Sequence, residues 1–108
     1  MKNNHCIENL LKYIDLLQNN SLNRCDNRLG LSISTYNTRV ISLYKRDGSL
    51  FIFNNSSLFR IMDIRDNRVL ILLLNYDNGI YSSTNQFITI DISSISCIRC
   101  IEDTYISL

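Results

Sequence analysis

The chain contains no alanine, no proline and no tryptophan, only three glycines and a single histidine. With only Gly30, Gly48 and Gly79, no glycine-rich phosphate loop can be drawn. Histidine-based catalysis would have to use His5, which no serine or aspartate accompanies at a recognisable spacing. Charge of one sign is also missing. The formal net charge is +1, with both signs scattered along the chain, so no basic stripe points to nucleic acid. Long apolar runs are absent too. The longest, Val69 to Leu74, is far short of the roughly 18 residues of a membrane span. No apolar segment leading to a small-residue cleavage site follows Met1-Lys2-Asn3-Asn4-His5. A secretory signal is therefore not expected, and synthesis in the cytoplasm is.

What is present points to β-structure. The 108 residues suit one domain, and 45% apolar residues are enough for a core, although a chain this short gains from a staple or from oligomerisation. Isoleucine, leucine and asparagine dominate. Isoleucine suits strands and asparagine suits turns and caps, a bias that an AT-rich genome also favours. The four cysteines are too few and too unevenly spaced for a secreted disulfide scaffold.

Cys6, Ile7, Leu10, Leu11, Ile14 and Leu17 have helical spacing. This predicts a helix over about 4–18, capped by Asn3 or Asn4, with Cys6, Leu10 and Leu17 on its apolar stripe. Asn19, Asn20, Ser21 and Asn23 are expected to end it, leaving a polar loop over 20–30. Strands are expected from there on. Thr38 to Arg46 alternates, Asp47-Gly48 is a hairpin signal, and Ser49 to Phe53 is the return strand. Asn54 to Ser57 is a turn. Leu58 to Asp66 is a strand whose apolar phase shifts between Ile61 and Met62, which predicts a bulge. Asn67-Arg68 is a tight turn. Val69 to Leu74 is apolar throughout, so both its faces should be covered. Asn75 to Gly79 is a turn, Tyr81 to Gln86 is polar, Phe87 to Ile92 alternates, and Ile98 to Ile106 is the last strand. The expected fold is mainly β: one domain over 1–108, with an N-terminal helix followed by a small antiparallel β-barrel or β-sandwich of about six strands over about 29–108.

Cys97-Ile98-Arg99-Cys100 is the chemically richest motif. A redox pair of the thioredoxin type needs a helix N-terminus in a βαβ setting, and this pair leads into a strand. In a strand, residues three apart point to opposite faces, so one thiol should be buried and the other exposed, with no bond between them. A structural zinc site would need four ligands. Cys6, Cys25, Cys97 and Cys100 could supply them, with His5 in reserve, although no second Cys-x-x-Cys enforces it. Buried cysteines acting as small hydrophobes are the plainest alternative. Arg39, after Asn37-Thr38, is either a neighbouring subunit's bidentate carboxylate partner or a solvated strand residue following a turn, and its local chemistry favours the second. The aromatics lack the basic groove of a single-strand-binding barrel and read as core and interface residues. No catalytic constellation stands out, and no cofactor is expected.

Several pieces occur together and in order: His5-Cys6 opening an apolar helix, Asn37-Thr38-Arg39 before a strand, Phe59-Arg60-Ile61, Phe87-Ile88-Thr89-Ile90-Asp91-Ile92-Ser93, and Cys97-Ile98-Arg99-Cys100. Over nearly the whole chain this pattern resembles the spore coat and exosporium proteins of the CotY–CotZ–ExsY family, here a reduced-cysteine sequence of clostridial-type composition. The resemblance implies a structural, non-enzymatic protein that self-assembles into a two-dimensional lattice, which in this family is often hexagonal. It would be made in the mother cell during sporulation and laid into the spore coat or exosporium with other coat proteins. It also implies intersubunit disulfides. Cys6 and Cys100 match family cysteines, and Cys25 matches more loosely. Ser94 and Ser96 stand where the family commonly carries cysteine, Cys97 where it carries a small residue, and Val40 where a proline follows Asn-Thr-Arg. A small β-barrel binding module with a cysteine zinc site is the alternative.

Overall fold

The computed structural model describes residues 4–29 and 35–107, with side chains described over 6–18 and 36–106. A long helix, α1 (Asn4–Leu29), is followed by five strands: β1 (Thr35–Lys45), β2 (Phe59–Arg65), β3 (Arg68–Asp77), β4 (Ile80–Asp91) and β5 (Ile95–Ser107). One 3-10 turn, Ile92–Ser94, joins the last two. The strands form a single antiparallel sheet in the order β4-β3-β2-β1-β5. The fold is therefore mainly β behind an N-terminal helix, as expected. The sheet does not close into a barrel, because β4 and β5 are edges that do not pair with each other.

The helix runs past its expected end, so the polar loop expected from residue 20 is helical as far as Leu29. Asparagine and serine each cost less than about 1 kcal/mol inside a helix, and no glycine or proline breaks the segment before Gly30. Of the expected apolar spacing, α1 buries only one side. Leu11, Ile14 and Gln18 are buried and Ile7 is half-buried, whereas Cys6 and Leu10 are exposed and Leu17 is half-buried. Residues 6-10-17 and 7-11-14-18 both fit a helical stripe, and packing selects the second. The side chain of Asn4, one of the two expected caps, lies outside the described residues, as does Asn3 altogether.

The turns follow their chemistry. Asp66 and Asn67 both have positive φ, 50° and 65°, and join β2 to β3 in two residues. Asn78 and Gly79 do the same for β3 and β4, at 52° and 81°. Asparagine, aspartate and glycine tolerate this left-handed backbone best. Each turn is shorter than expected or displaced from its expected place, so β3 continues to Asp77. The Asp47-Gly48 turn forms, with Gly48 at φ 93° and Asp47 Oδ1 accepting from the Ser49 amide and hydroxyl. The return strand expected at Ser49 to Phe53 does not. It is reduced to a Tyr44–Leu50 bridge flanked by the Lys45 amide donating to Ser49 O at 2.7 Å and the Phe51 amide donating to Leu43 O at 2.9 Å. This is why five strands form rather than six. The bulge expected at Ile61 and Met62 is present: Ile61 pairs with Ile71 and Asp63 with Leu70, leaving Met62 as the extra residue.

Apolar side chains fill both faces of the sheet. Under α1, Leu11 and Ile14 meet Ile41, Leu43, Phe59, Ile61, Val69, Ile71 and Leu73. On the other face Val40, Leu72, Leu74, Tyr81 and Ile106 form a second cluster. The run Val69 to Leu74 supplies both, so its two faces are covered as its sequence predicted. The second cluster joins Tyr81 of β4 to Ile106 of β5, from opposite edges of the sheet. Strand twist accumulated over five strands curls the sheet far enough to bring them together. Burial pushes the Tyr81 hydroxyl up, and Glu102 of β5 adds to the shift.

Candidate functional site

The described thiols lie on the surface. Cys6, Cys97 and Cys100 are all free and exposed. The Cys25 and His5 side chains lie outside the described residues. Cys97 is opposite Tyr44 and Cys100 opposite Ile41, so the two point to opposite faces of β5 as alternation requires. The expectation that one of them is buried fails. β5 is a sheet edge, and although Ile98 between the two cysteines packs against the core under α1, both thiols stay outside the clusters. The strand carries two bulges. Ser96 is the extra residue between Cys97 and Ile95, and its hydroxyl donates to Lys45 O at 2.7 Å. Ile101 is the extra residue between Cys100 and Glu102. Among the described residues, no three His, Cys, Asp or Glu side chains gather as a metal site would require. Among them, no helix is long and apolar enough to cross a membrane.

Arg39 lies in β1 rather than after a turn, because Asn37 and Thr38 are strand residues too. Its fork engages a carboxylate of its own chain: Nε donates to Asp103 Oδ1 at 2.7 Å and Nη2 to Asp103 Oδ2 at 3.0 Å. Register places the two residues directly opposite on β1 and β5. Asp103 raises the Arg39 guanidinium above its ordinary value, against a smaller opposing effect of burial, and the nearby Cys100 thiol adds to the rise. Arg39 in turn holds the Asp103 carboxyl below its ordinary value. The bidentate geometry foreseen for a neighbouring subunit is thus occupied within the chain.

Behind this pair lies a polar seam that sequence reading missed. β1 and β2 pair only at Ile41 and Phe59. One pair further along, at Arg39 and Ile61, the backbones no longer pair. Gln18 of α1 fills the gap. Its Oε1 accepts from the Arg39 amide at 3.0 Å, and its Nε2 donates to Ile61 O at 2.7 Å and to Asp15 Oδ1 at 3.3 Å. The side-chain amide stands where a peptide group of a neighbouring strand would. Asn37 Nδ2 donates back to Gln18 O at 3.3 Å.

Arg60 closes the seam from the opposite face. It is 4% exposed and, among the described residues, forms no ion pair with a carboxylate. Nε donates to Thr38 Oγ1 at 2.9 Å, Nη2 to Asn37 O at 3.1 Å, and Nη1 to Ile61 O at 3.3 Å and weakly to Met62 Sδ. The guanidinium lies over the Tyr36 ring, 5.8 Å from its centroid. Burial pushes it below its ordinary value, with Asp15 opposing. Every buried side-chain nitrogen and oxygen among the described residues has a partner. The seam is therefore a closed network that holds shape rather than an open binding site. A shallow pocket of about 120 Å³ beside it is lined by Leu17, Gln18, Asn37, Arg39 and Asp103.

Two signals in the sequence pointed here. Gln18 continues the 7-11-14 spacing of the packed helix face, so a polar residue occupies a core position. Arg60 interrupts Leu58-Phe59-Arg60-Ile61-Met62, an otherwise apolar strand segment.

No family model, curated protein or solved structure matches the chain.

Proposed function

We propose that the chain is a structural subunit that self-assembles into an ordered two-dimensional layer, of the kind that the resemblance to spore coat and exosporium proteins implies. The carrying observation is the distribution of exposed apolar side chains over separate sides of one small domain. Leu10, Tyr13 and Leu16 lie on α1, Ile80 and Phe87 on edge strand β4, and Ile101 and Tyr105 on edge strand β5, each at least 37% exposed. Contacts on several non-equivalent sides are what an extending array needs, whereas a closed dimer needs one. Long edge strands add backbone donors and acceptors for partner chains, although the bulges in β5 limit flat pairing to short stretches.

The free, exposed thiols support the second half of the reading, cross-links between subunits. Cys6 at one end of α1 and Cys100 on β5 are the family-matching positions, and both are accessible to a neighbour. Arg39 contributes by fixing β5 against β1 through Asp103 rather than by reaching across an interface.

Light scattering and negative-stain microscopy of the purified chain test the proposal. Sheets or large regular particles are expected, with reducible dimers on non-reducing gels. A sharp monomer at high concentration with bare grids would overturn it. One zinc per chain in metal analysis would favour the binding-module alternative.

A further inference from the structure

The groups that Gln18 bridges are not arbitrary. Antiparallel pairing alternates in type along the ladder, so extending the Ile41–Phe59 pair by two residues places Arg39 opposite Ile61, in a pair of the same type. The Arg39 N–H and the Ile61 C=O are the groups that would bond each other in that register. They are instead held apart by one amide inserted between them, at 3.0 and 2.7 Å. Neither strand carries a residue that forbids pairing here, since no proline or glycine lies in 37–41 or 59–63.

We propose that the β1–β2 seam is a two-state joint. It is wedged open by Gln18 while α1 is docked, and it zips between Arg39 and Ile61 when α1 lifts away.

Hydrogen bonding balances in both states. In the zipped state the Arg39 amide donates to Ile61 O directly. A carbonyl has two lone pairs, so Ile61 O keeps the Arg60 bond that reaches it from the other face. Gln18 returns its amide to water. What favours the wedged state is burial, because Gln18 shares its helix face with Leu11 and Ile14, 0% and 1% exposed, and cannot leave without them. The zipped state is therefore a minor local opening in which α1 detaches as a unit while the sheet tightens. Such a joint lets the helix move without unravelling the strands beneath it. This holds whether or not the chain assembles.

Residue-resolved hydrogen exchange on the full wild-type chain over a mild urea series tests this. If the seam zips, the Arg39 amide stays protected through helix release and exchanges about ten-fold or more slowly than the amides of Leu11 to Leu17. If Gln18 is all that protects it, the Arg39 amide exchanges with α1 at the same rate and with the same urea dependence, and the proposal fails. Gln18→Met keeps the length and packing of the side chain without its amide. In that variant the α1 amides should exchange faster, while the Arg39 amide stays within about three-fold of wild type. An Arg39 amide that loses protection together with the helix in the variant overturns the joint as well. If the variant does not fold, the wild-type measurement alone decides.

Discussion

Arg60 concentrates the chemistry of a single residue. A buried guanidinium carries a large desolvation cost, and replacing such a group by an apolar one is sometimes neutral. Here the balance goes against replacement, because Asn37 O loses its Arg60 bond and Thr38 Oγ1 loses its charged donor. Orphaning buried acceptors costs about 1–3 kcal/mol each. Arg60→Met should lower stability by about 2 kcal/mol, a fall of roughly 10 °C in Tm. Arg60→Lys should recover little of it, since a point charge cannot span Thr38, Asn37 and Ile61 together. Thermal melts of the two variants check this, and a lysine variant as stable as wild type would show that charge matters rather than the fork. Asp103 is a smaller, pH-dependent case. Its side chain is 58% exposed, so the Arg39 pair is screened, and Asp103→Asn should cost only about 0.5 kcal/mol near neutral pH. The folded carboxyl lies below its ordinary value, so the contribution is present above the ordinary value of 3.8 and is lost as pH falls through the lower folded value. Urea midpoints of wild type and variant should differ at neutral pH and converge in acid. A gap that persists in strong acid would show that the loss is not ionic.

At the scale of elements, α1 shows how two readings of one pattern separate. Residues 6-10-17 and 7-11-14-18 are both helical stripes, and only contact with the sheet distinguishes them. Leu11→Ala should cost about 3 kcal/mol, as for other fully buried leucines, while Cys6→Ser should leave stability within roughly 0.5 kcal/mol of wild type and remove any dimer bridged through Cys6. Thermal melts and non-reducing gels read the two outcomes. A large loss in Cys6→Ser would mean that the exposed face is covered in solution. The strands were more legible than the helix face. Val69 to Leu74 announced a strand buried on both sides, and the phase shift at Ile61 and Met62 announced the bulge. The stretch Ser49 to Phe53 misled, because its composition suits a strand but only Ser49, Leu50 and Phe51 reach β1. Gln18 and β2 occupy the rest of that edge.

At the scale of the whole molecule, the Cys-x-x-Cys is the sharpest test. Cys97 and Cys100 lie on opposite faces of β5, and an extended spacing of three residues separates their Cα atoms by roughly 10 Å, too far for a bridge. Mass spectrometry of a non-reduced digest should recover them unbonded to each other, with any disulfide running to another chain or to a distant cysteine. A dominant internal Cys97–Cys100 bond would require β5 to refold and would restore the redox reading. The exposed thiols and the apolar patches on α1, β4 and β5 also frame the assembly expectation, since each is exposed among the described residues.

The sequence by itself determined the local structure: where strands alternate, where asparagine and glycine turn the chain, and that the cysteines three apart would diverge. Those are contacts between near neighbours, and their periods are written along the chain. Only the tertiary structure decided which helix face packs, that the sheet curls without closing, and that Gln18 and Arg60 bridge the gap between β1 and β2. These depend on groups 19 to 43 residues apart meeting in space, and a lone glutamine or arginine has no local period to announce its partner.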